Sequence, residues 1–335
     1  MAPADSIVTD YQGTGTLPRK QGKETTLVDP PSRQNVESSP PRRAAAEMIN
    51  LMDRAAMLTR QEPLRRGNVV CLPPKGDLVV LGDLHGNTDN LRKVVEWAAL
   101  SLHRDRYLVL QELVHGGPLD SRGRDHSFRL LEEAAELKCR FGSQVQMVLS
   151  NHDLAELTGS TITKGSHNVS SAFWRGLANA YGEGWPEVHG AYQRLLSALP
   201  LAVRTPSGVF ISHSTPQRDT LDLLDYTIFD RPLTAEDYLP GGSAYALVWG
   251  RFQDQEVADT FAKRVGAEVL VTGHQASAPG VKAPTSRHII LVSDGSSGRF
   301  LHIRLDTSVP FNVLLQHVTR ISSLDENTTD LESEI

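Results

Sequence analysis

Five short apolar runs in this chain of 335 residues are each followed by polar side chains that can bind a metal. The runs span residues 78–81, 107–111, 145–149, 209–212 and 269–272. A continuous apolar run that ends in turn-forming residues is typical of a buried strand. Segments with helical spacing of apolar residues lie between the first three runs, around residues 91–98 and 127–140. This alternation predicts an α/β fold.

The polar residues that follow the runs form a mixed set. They are Asp83 with His85, Glu112, Asn151 with His152, His213, and His274. Functional sites in open α/β sheets form beyond the carboxyl ends of the strands, so we expect these side chains to surround one cleft. Imidazole, carboxylate and amide ligands fit Mn, Fe or Zn better than calcium. One carboxylate could bridge two such ions at a spacing of about 3.5–4 Å.

Four of these segments carry a resemblance to a known family. Gly82–Asn87 is similar to the GDxHG signature of the calcineurin-like metallophosphoesterases, and Ser150–Asp153 is similar to their GNHE motif. Ile211–His213 and Thr272–Gln275 resemble their two later histidine motifs. The resemblance covers about residues 75–305 and is nearest to the phosphoprotein phosphatase branch. Four motifs in the family's order are a much stronger signal than any one of them.

The resemblance implies a fold and a role for each residue. The fold would be a four-layer α-β-β-α sandwich of two mixed sheets flanked by helices. Asp83 and His85 would hold the first of two divalent ions, Glu112 would bridge both, and His152 would be the catalytic acid. The site of the second ion would be completed by Asn151, His213 and His274. The phosphate would be bound by Arg251.

The implied reaction is hydrolysis of a phosphomonoester by metal-activated water, with no phosphoenzyme. The resemblance favours phosphoserine or phosphothreonine in proteins as substrate. Two alternatives stay open: a hydrolase of dinucleoside polyphosphates or other small molecules, and a catalytically weakened phosphate-binding scaffold. The native metals and the oligomeric state are not determined by these patterns.

The second motif departs from the family pattern, which expects GDxVDRG. The chain reads QELVHGG from Gln111, so the bridging Asp is replaced by Glu112, the Asp that orients the catalytic histidine by His115, and the phosphate-binding Arg by Gly116. We hypothesise that a longer loop brings Asp120 to His152, and Arg122 or Arg124 to phosphate. The alternatives are that this loop is simply solvated and that Glu112 is a solvated charge at a strand end.

Composition sets the domain boundaries. Residues 1–42 are rich in Pro, Ser, Thr and charge, which predicts a disordered arm. Residues 43–320 form the predicted domain, with a helical insertion at about 157–198, and 321–335 form a predicted acidic flexible tail.

The net charge, the cysteine count and the N-terminal residues argue against several classes of protein. A net charge of −6 gives no general case for nucleic-acid binding, and two cysteines are too few for a disulfide framework. The N-terminal residues have no apolar core typical of a secretion signal, and no stretch is apolar enough to span a bilayer. We therefore expect a cytoplasmic protein that acts on a phosphorylated protein or a small phosphoester, with no membrane partner.

Overall fold

The computed structural model describes residues 43–164 and 167–324. The predictions for residues 1–42 and for most of the acidic tail lie outside these ranges. The strands are β1 (Arg65–Arg66), β2 (Val69–Cys71), β3 (Asp77–Asp83), β4 (Arg106–Gln111), β5 (Val145–Met147), β6 (Thr163–Lys164), β7 (His167–Asn168), β8 (Ala202–Arg204), β9 (Val209–Ser212), β10 (Val269–Thr272), β11 (Val281–Thr285), β12 (His288–Leu291), β13 (Arg299–Arg304) and β14 (Val318–Arg320). The α-helices are α1 (Ala45–Arg60), α2 (Thr88–Ala98), α3 (Phe128–Phe141), α4 (Asn151–Thr158), α5 (Val169–Tyr181), α6 (Trp185–Leu196), α7 (Ser243–Trp249), α8 (Gln255–Val265) and α9 (Phe311–Gln316).

Two mixed sheets carry the five predicted strands. One sheet has the order β14-β13-β3-β4-β5, in which β3, β4 and β5 run parallel. The other has the order β1-β2-β8-β9-β10-β12-β11, in which β9, β10 and β12 run parallel. A separate two-stranded hairpin joins β6 to β7. The carboxyl ends of β3, β4 and β5 thus lie at one edge of the first sheet, and those of β9 and β10 lie at one edge of the second.

The buried side chains of β3 divide between two hydrophobic cores. Leu78 and Val80 belong to a core shared with β9, β10 and β12, which lies between the two sheets. Val79 and Leu81 point to the opposite face, where they join a core lined by helices. Because alternate residues of a strand face opposite sides, a continuous apolar run fills both cores. The predicted arrangement of two mixed sheets flanked by helices is confirmed.

The helices α5 and α6 lie within residues 157–198. α5 and α6 bury one face each, and Phe173, Tyr192 and Leu195 join the helix-lined core together with residues of α1 and α3. At the other end of the domain, Ile321–Leu324 forms a short 3-10 helix in which Ile321 is buried. The packed fold thus continues four residues past the predicted start of the tail, because an apolar side chain at its first position is buried.

The two sheets meet directly beside the predicted site. A Cβ atom at Gly82 would lie 2.0 Å from the carbonyl oxygen of Leu291, so only glycine allows this approach of β3 to β12. The Gly82 amide donates to the Ser293 hydroxyl at 2.8 Å, and the Ser293 amide donates to the Asp83 carbonyl at 2.9 Å. This contact brings strand ends from both sheets to one place.

Across the described ranges, no helix is both long and apolar enough to cross a bilayer.

Candidate metal centre

Two groups of potential ligands share one carboxylate. Among the described residues, ligand atoms of His85, Glu112 and His152 lie within 4.8 Å of one another, and so do those of Glu112, His213 and His274. Glu112 is therefore common to both groups, which is the position expected of a bridging ligand. A shared carboxylate could bind two ions at the spacing of about 3.5–4 Å that is typical of two-metal sites.

The second group takes its residues from both sheets, and with Asn151 we call it the two-sheet group. The Nε2 atom of His213 lies 2.7 Å from Asn151 Oδ1 and 2.9 Å from Glu112 Oε2. The Nδ1 atom of His274 lies 2.9 Å from the same Asn151 oxygen. Two imidazole nitrogens and two oxygens thus converge on one point, which is a donor set suited to Mn, Fe or Zn.

The electrostatics of the two-sheet group favour neutral imidazoles. Burial lowers the pKa of His213 and also that of His274, and the positive charge of Arg251 lowers both further. A neutral ring keeps a lone pair for a metal. On the far side of each ring, His213 Nδ1 and His274 Nε2 are buried nitrogens without a hydrogen-bond partner among the described residues.

The first group comes from loops after β3, β4 and β5, and we call it the one-sheet group: His85, Glu112 and His152. The Nδ1 atom of His85 donates to the His115 carbonyl oxygen at 2.8 Å. That bond leaves Nε2 as the lone-pair nitrogen, in the arrangement usual for a ligating histidine. The rings of His85 and His152 are 5.2 Å apart between centroids. His152, predicted as the catalytic acid, therefore lies among the candidate ligands of this half.

Asp83 lies between the two sheets but belongs to neither group of close ligand atoms. Its Oδ1 accepts from the His274 amide at 2.8 Å and lies 3.8 Å from His213 Nδ1. Burial, and secondarily the nearby charge of Glu112, raise the pKa of Asp83 to about 6, although His213 opposes the shift. A Cβ atom at Gly273 would lie 2.0 Å from this same oxygen, so the glycine is required for Asp83 to reach its place.

Several of these residues have a left-handed backbone. The φ angle is 44° at His85, 47° at Glu112 and 67° at His274. This region is uncommon for residues other than glycine, and such strain persists only where the surrounding structure imposes it. Each residue follows a strand directly or after one residue, so the unusual angle turns its side chain out of the strand direction toward the cleft.

Glu112 fits the position where the resemblance expects the shorter Asp. Its Oε2 faces His213, while its Oε1 lies 2.9 Å from the Ser150 hydroxyl. Ser150 also caps α4 through a reciprocal pair of hydrogen bonds with Asp153. The serine thus holds the carboxylate from the side opposite the histidine, so the extra methylene of Glu112 is accommodated without loss of contact.

The loop after Glu112 does not bring the predicted replacement residues together at the cleft. The Asp120 carboxylate accepts from Arg124 Nε at 2.6 Å and lies 3.1 Å from His126 Nε2, and Arg124 also bonds Asn179. Asp120 therefore closes its own loop, and the ring of His115 packs beside His152, as that of His85 does, with 5.2 Å between centroids in each pair. The hypothesis that Asp120 orients His152 is not supported by these contacts. Arg122 is exposed, and its amide donates to Asp120.

Arg251, predicted to bind phosphate, lies beside His274. Its Nη1 donates to the His274 carbonyl oxygen at 3.1 Å, and the side chain is half-buried. The fork of N–H groups on a guanidinium suits phosphate oxygens.

Sequence patterns missed one cluster near the centre. His115 bonds Glu156, and Glu156 also bonds His189 and Trp174. No motif links these four positions, which are spread from residue 115 to residue 189. The sequence did contain one indication of this cluster. Glu156 is four residues after His152 on a helix and so lies on the same face.

Comparisons with known proteins agree with this geometry. A sequence model described as calcineurin-like phosphoesterase matches residues 77–278. No curated protein matches the chain by sequence. A protein serine/threonine phosphatase from Saccharomyces cerevisiae has a similar structure, with a TM-score of 0.60 and 14% identity over 78% of this chain and 83% of that one. A point mutant of a cold-active protein tyrosine phosphatase gives a TM-score of 0.51 and 14% identity over 75% and 80%. At these identities the structural likeness supports the fold.

Proposed function

Because the chain belongs to the calcineurin-like phosphoesterase family, we propose that it hydrolyses phosphomonoesters with two divalent metal ions, as a phosphatase of serine/threonine phosphoproteins. The observation that carries this proposal is Glu112, which lies within 4.8 Å of ligand atoms in both the one-sheet and the two-sheet group. A single-ion site would need no shared carboxylate.

The proposed ligands combine residues of the two groups with Asp83, which the resemblance adds. Glu112 would bridge, the two-sheet group would complete one ion site with Asn151, His213 and His274, and Asp83 with His85 would hold the other. When bound, such ions polarise phosphoryl oxygens and acidify a water molecule. Mn, Fe and Zn all suit this donor set.

The remaining roles belong to the side chains around the ions. Arg251 would bind the phosphoryl oxygens, because its guanidinium lies next to His274 and is half-buried. His152 would give a proton to the leaving oxygen as the ester P–O bond breaks. That transfer matters most for alkyl phosphates such as phosphoserine, whose leaving group is a poor one without a proton.

The proposal is tested by metal content and turnover together. Chelator-treated protein is reloaded with Mn, Fe or Zn and assayed with p-nitrophenyl phosphate, phosphoserine peptides and a dinucleoside polyphosphate. We expect two ions per chain and hydrolysis of the phosphopeptides. Glu112→Gln should lower kcat/KM by more than about 100-fold, since even partners one step outside a metal's ligands are worth about 10–100-fold. Glu96→Gln, an exposed change of the same kind on α2, is the control.

Other results would replace the proposal. Hydrolysis of the dinucleoside polyphosphate alone would indicate a small-molecule hydrolase. Two bound ions without turnover of any substrate would indicate a phosphate-binding scaffold, and fewer than two ions would overturn the dinuclear site.

A further inference from the structure

We propose that Glu156, acting through His115, is a positioning residue for His152. The inference rests on the proposed function, because it concerns the group that would protonate the leaving oxygen. It assigns a role to a buried cluster that lies outside the two ligand groups.

The cluster begins at the ring beside His152. The His115 ring lies 5.2 Å from the His152 ring between centroids, at an interplanar angle of 57°. On its other side, His115 meets Phe173 edge to face at 4.9 Å. His115 is fully buried, so its ring has little room to turn. The position of His152 is therefore tied to that of His115 by direct packing.

Glu156 fixes His115 in this place. Its Oε1 atom lies 2.8 Å from His115 Nε2, and both side chains are almost fully buried. Its other oxygen accepts from Trp174 Nε1 at 3.1 Å and lies 2.6 Å from His189 Nε2. With three partners from three parts of the chain, the carboxylate cannot rotate without losing hydrogen bonds that are costly to leave unmade in a buried place.

The charge of Glu156 is retained despite its burial. Burial alone would raise the pKa of Glu156, but the hydrogen bonds from His115 and His189 lower it to about 2. The carboxylate is thus ionised and acts as an acceptor, so it selects the orientation in which His115 directs Nε2–H toward it.

Other carboxylates near this loop are already engaged. Asp120 bonds Arg124 and His126, and Asp125 accepts from the amides of Gly116 and Ser127 at 3.0 and 2.7 Å. These two acids shape the loop. Glu156 is the carboxylate that bonds the ring packed against His152.

This arrangement predicts a specific kinetic effect. Water adds to phosphorus, the ester P–O bond breaks, and the leaving oxygen takes a proton from His152. A misplaced His152 would slow the reaction in proportion to how much the leaving oxygen needs that proton. An alkyl phosphate needs it far more than p-nitrophenyl phosphate does.

The test compares two variants on two substrates. His115→Asn removes the ring and its bond to Glu156, yet Asn tolerates the left-handed φ of 63° at this position. Glu156→Gln keeps the shape and removes the charge. For a phosphoserine peptide, we expect kcat to fall about 10–100-fold in His115→Asn and by a smaller factor in Glu156→Gln, with KM unchanged. For p-nitrophenyl phosphate, we expect less than about threefold change in either variant.

The control is Tyr192→Phe, which removes a buried hydrogen bond to Glu132 in the same helix-lined core and leaves Glu156 and His115 untouched. It should reduce thermal stability without changing the ratio of the two substrates' kcat values. Metal content is measured for every variant. An equal loss on both substrates, or a ratio that shifts as much in Tyr192→Phe, would show a merely structural cluster and overturn the inference. If the wild-type chain cleaves neither substrate, the proposed function itself is wrong. That result is separate from the outcome of the variants.

Discussion

The two halves of the candidate centre are built in different ways. The two-sheet group is held by strand ends from both sheets, and its two histidines share one amide oxygen of Asn151. The one-sheet group follows three strands of a single sheet, with His85 and Glu112 on loops and His152 on α4, and its support comes from the loop carbonyl of His115 and from Glu156. The sequence resembles the family motifs around His85, His152 and the two-sheet histidines, and it departs from them in the segment that begins at Gln111. Strand pairing across two sheets leaves little freedom to vary, whereas a loop can change residues if a helix supplies new contacts.

The largest effect on metal binding and activity should come from Gly273→Ala, which disturbs the half of the centre that is held by both sheets. The added Cβ would lie 2.0 Å from Asp83 Oδ1 and must displace it. We expect metal binding and kcat/KM to fall by more than about 100-fold, because a ligand itself is moved and not just a neighbour of one. Elemental analysis and steady-state kinetics measure this. Gly190→Ala, at a helical glycine where the added Cβ would make only an ordinary 3.6 Å contact with Arg194 Nη1, should leave both unchanged. Normal metal binding in Gly273→Ala would mean that this half tolerates movement.

The second prediction concerns the pH dependence of metal binding, because protons compete with metal ions for the same ligand atoms. The pKa of Asp83 is raised to about 6 by burial, whereas those of His213 and His274 are lowered. In the metal-free protein, this raised carboxyl contributes stability that is fully present below the unfolded value of 3.8 and is lost as the pH rises through about 6. Metal needs the ionised form, so affinity should fall about tenfold per pH unit below 6. Calorimetric titration with Mn between pH 5 and 8 checks the slope; a flat profile would contradict it.

Ser150→Ala should have a moderate effect on metal binding. It tests how Glu112, the residue shared by the two groups, is held. It removes the hydroxyl 2.9 Å from Glu112 Oε1 and also the cap of α4. We expect about tenfold weaker metal binding and a loss of about 1 kcal/mol in stability. Asn168→Ala removes the equivalent cap of α5, so it should show the stability loss alone. If both variants bind metal equally well, the serine supports only the helix.

The smallest effect is expected in the loop of the one-sheet half. Arg122 is exposed and Arg124 is paired with Asp120, so Arg122→Ala and Arg124→Ala should each change KM by about twofold or less. Arg251→Ala, by contrast, should raise KM about tenfold through loss of charged hydrogen bonds to phosphate. A tenfold rise in KM in Arg122→Ala would show that the loop reaches the substrate after all.

Much of this protein could be predicted from local patterns. The apolar runs and the helical spacing between them placed β3, β4, β9 and β10 to within a residue or two, because burial on both faces requires uninterrupted apolar strands. The residues that follow those strands also converge as expected, since parallel strands end at one edge of a sheet. The motif resemblance then identified the family.

The tertiary structure decided what the patterns left open. It turned Asp120 toward Arg124 and brought His115, Glu156, Trp174 and His189 together beside His152. These contacts join residues up to 41 positions apart in the sequence, and the cluster depends on how a loop and the helices α4, α5 and α6 pack. Strand periodicity is a local property that a sequence displays directly, whereas the partner of a buried carboxylate is set by packing between distant segments, and no local pattern records it.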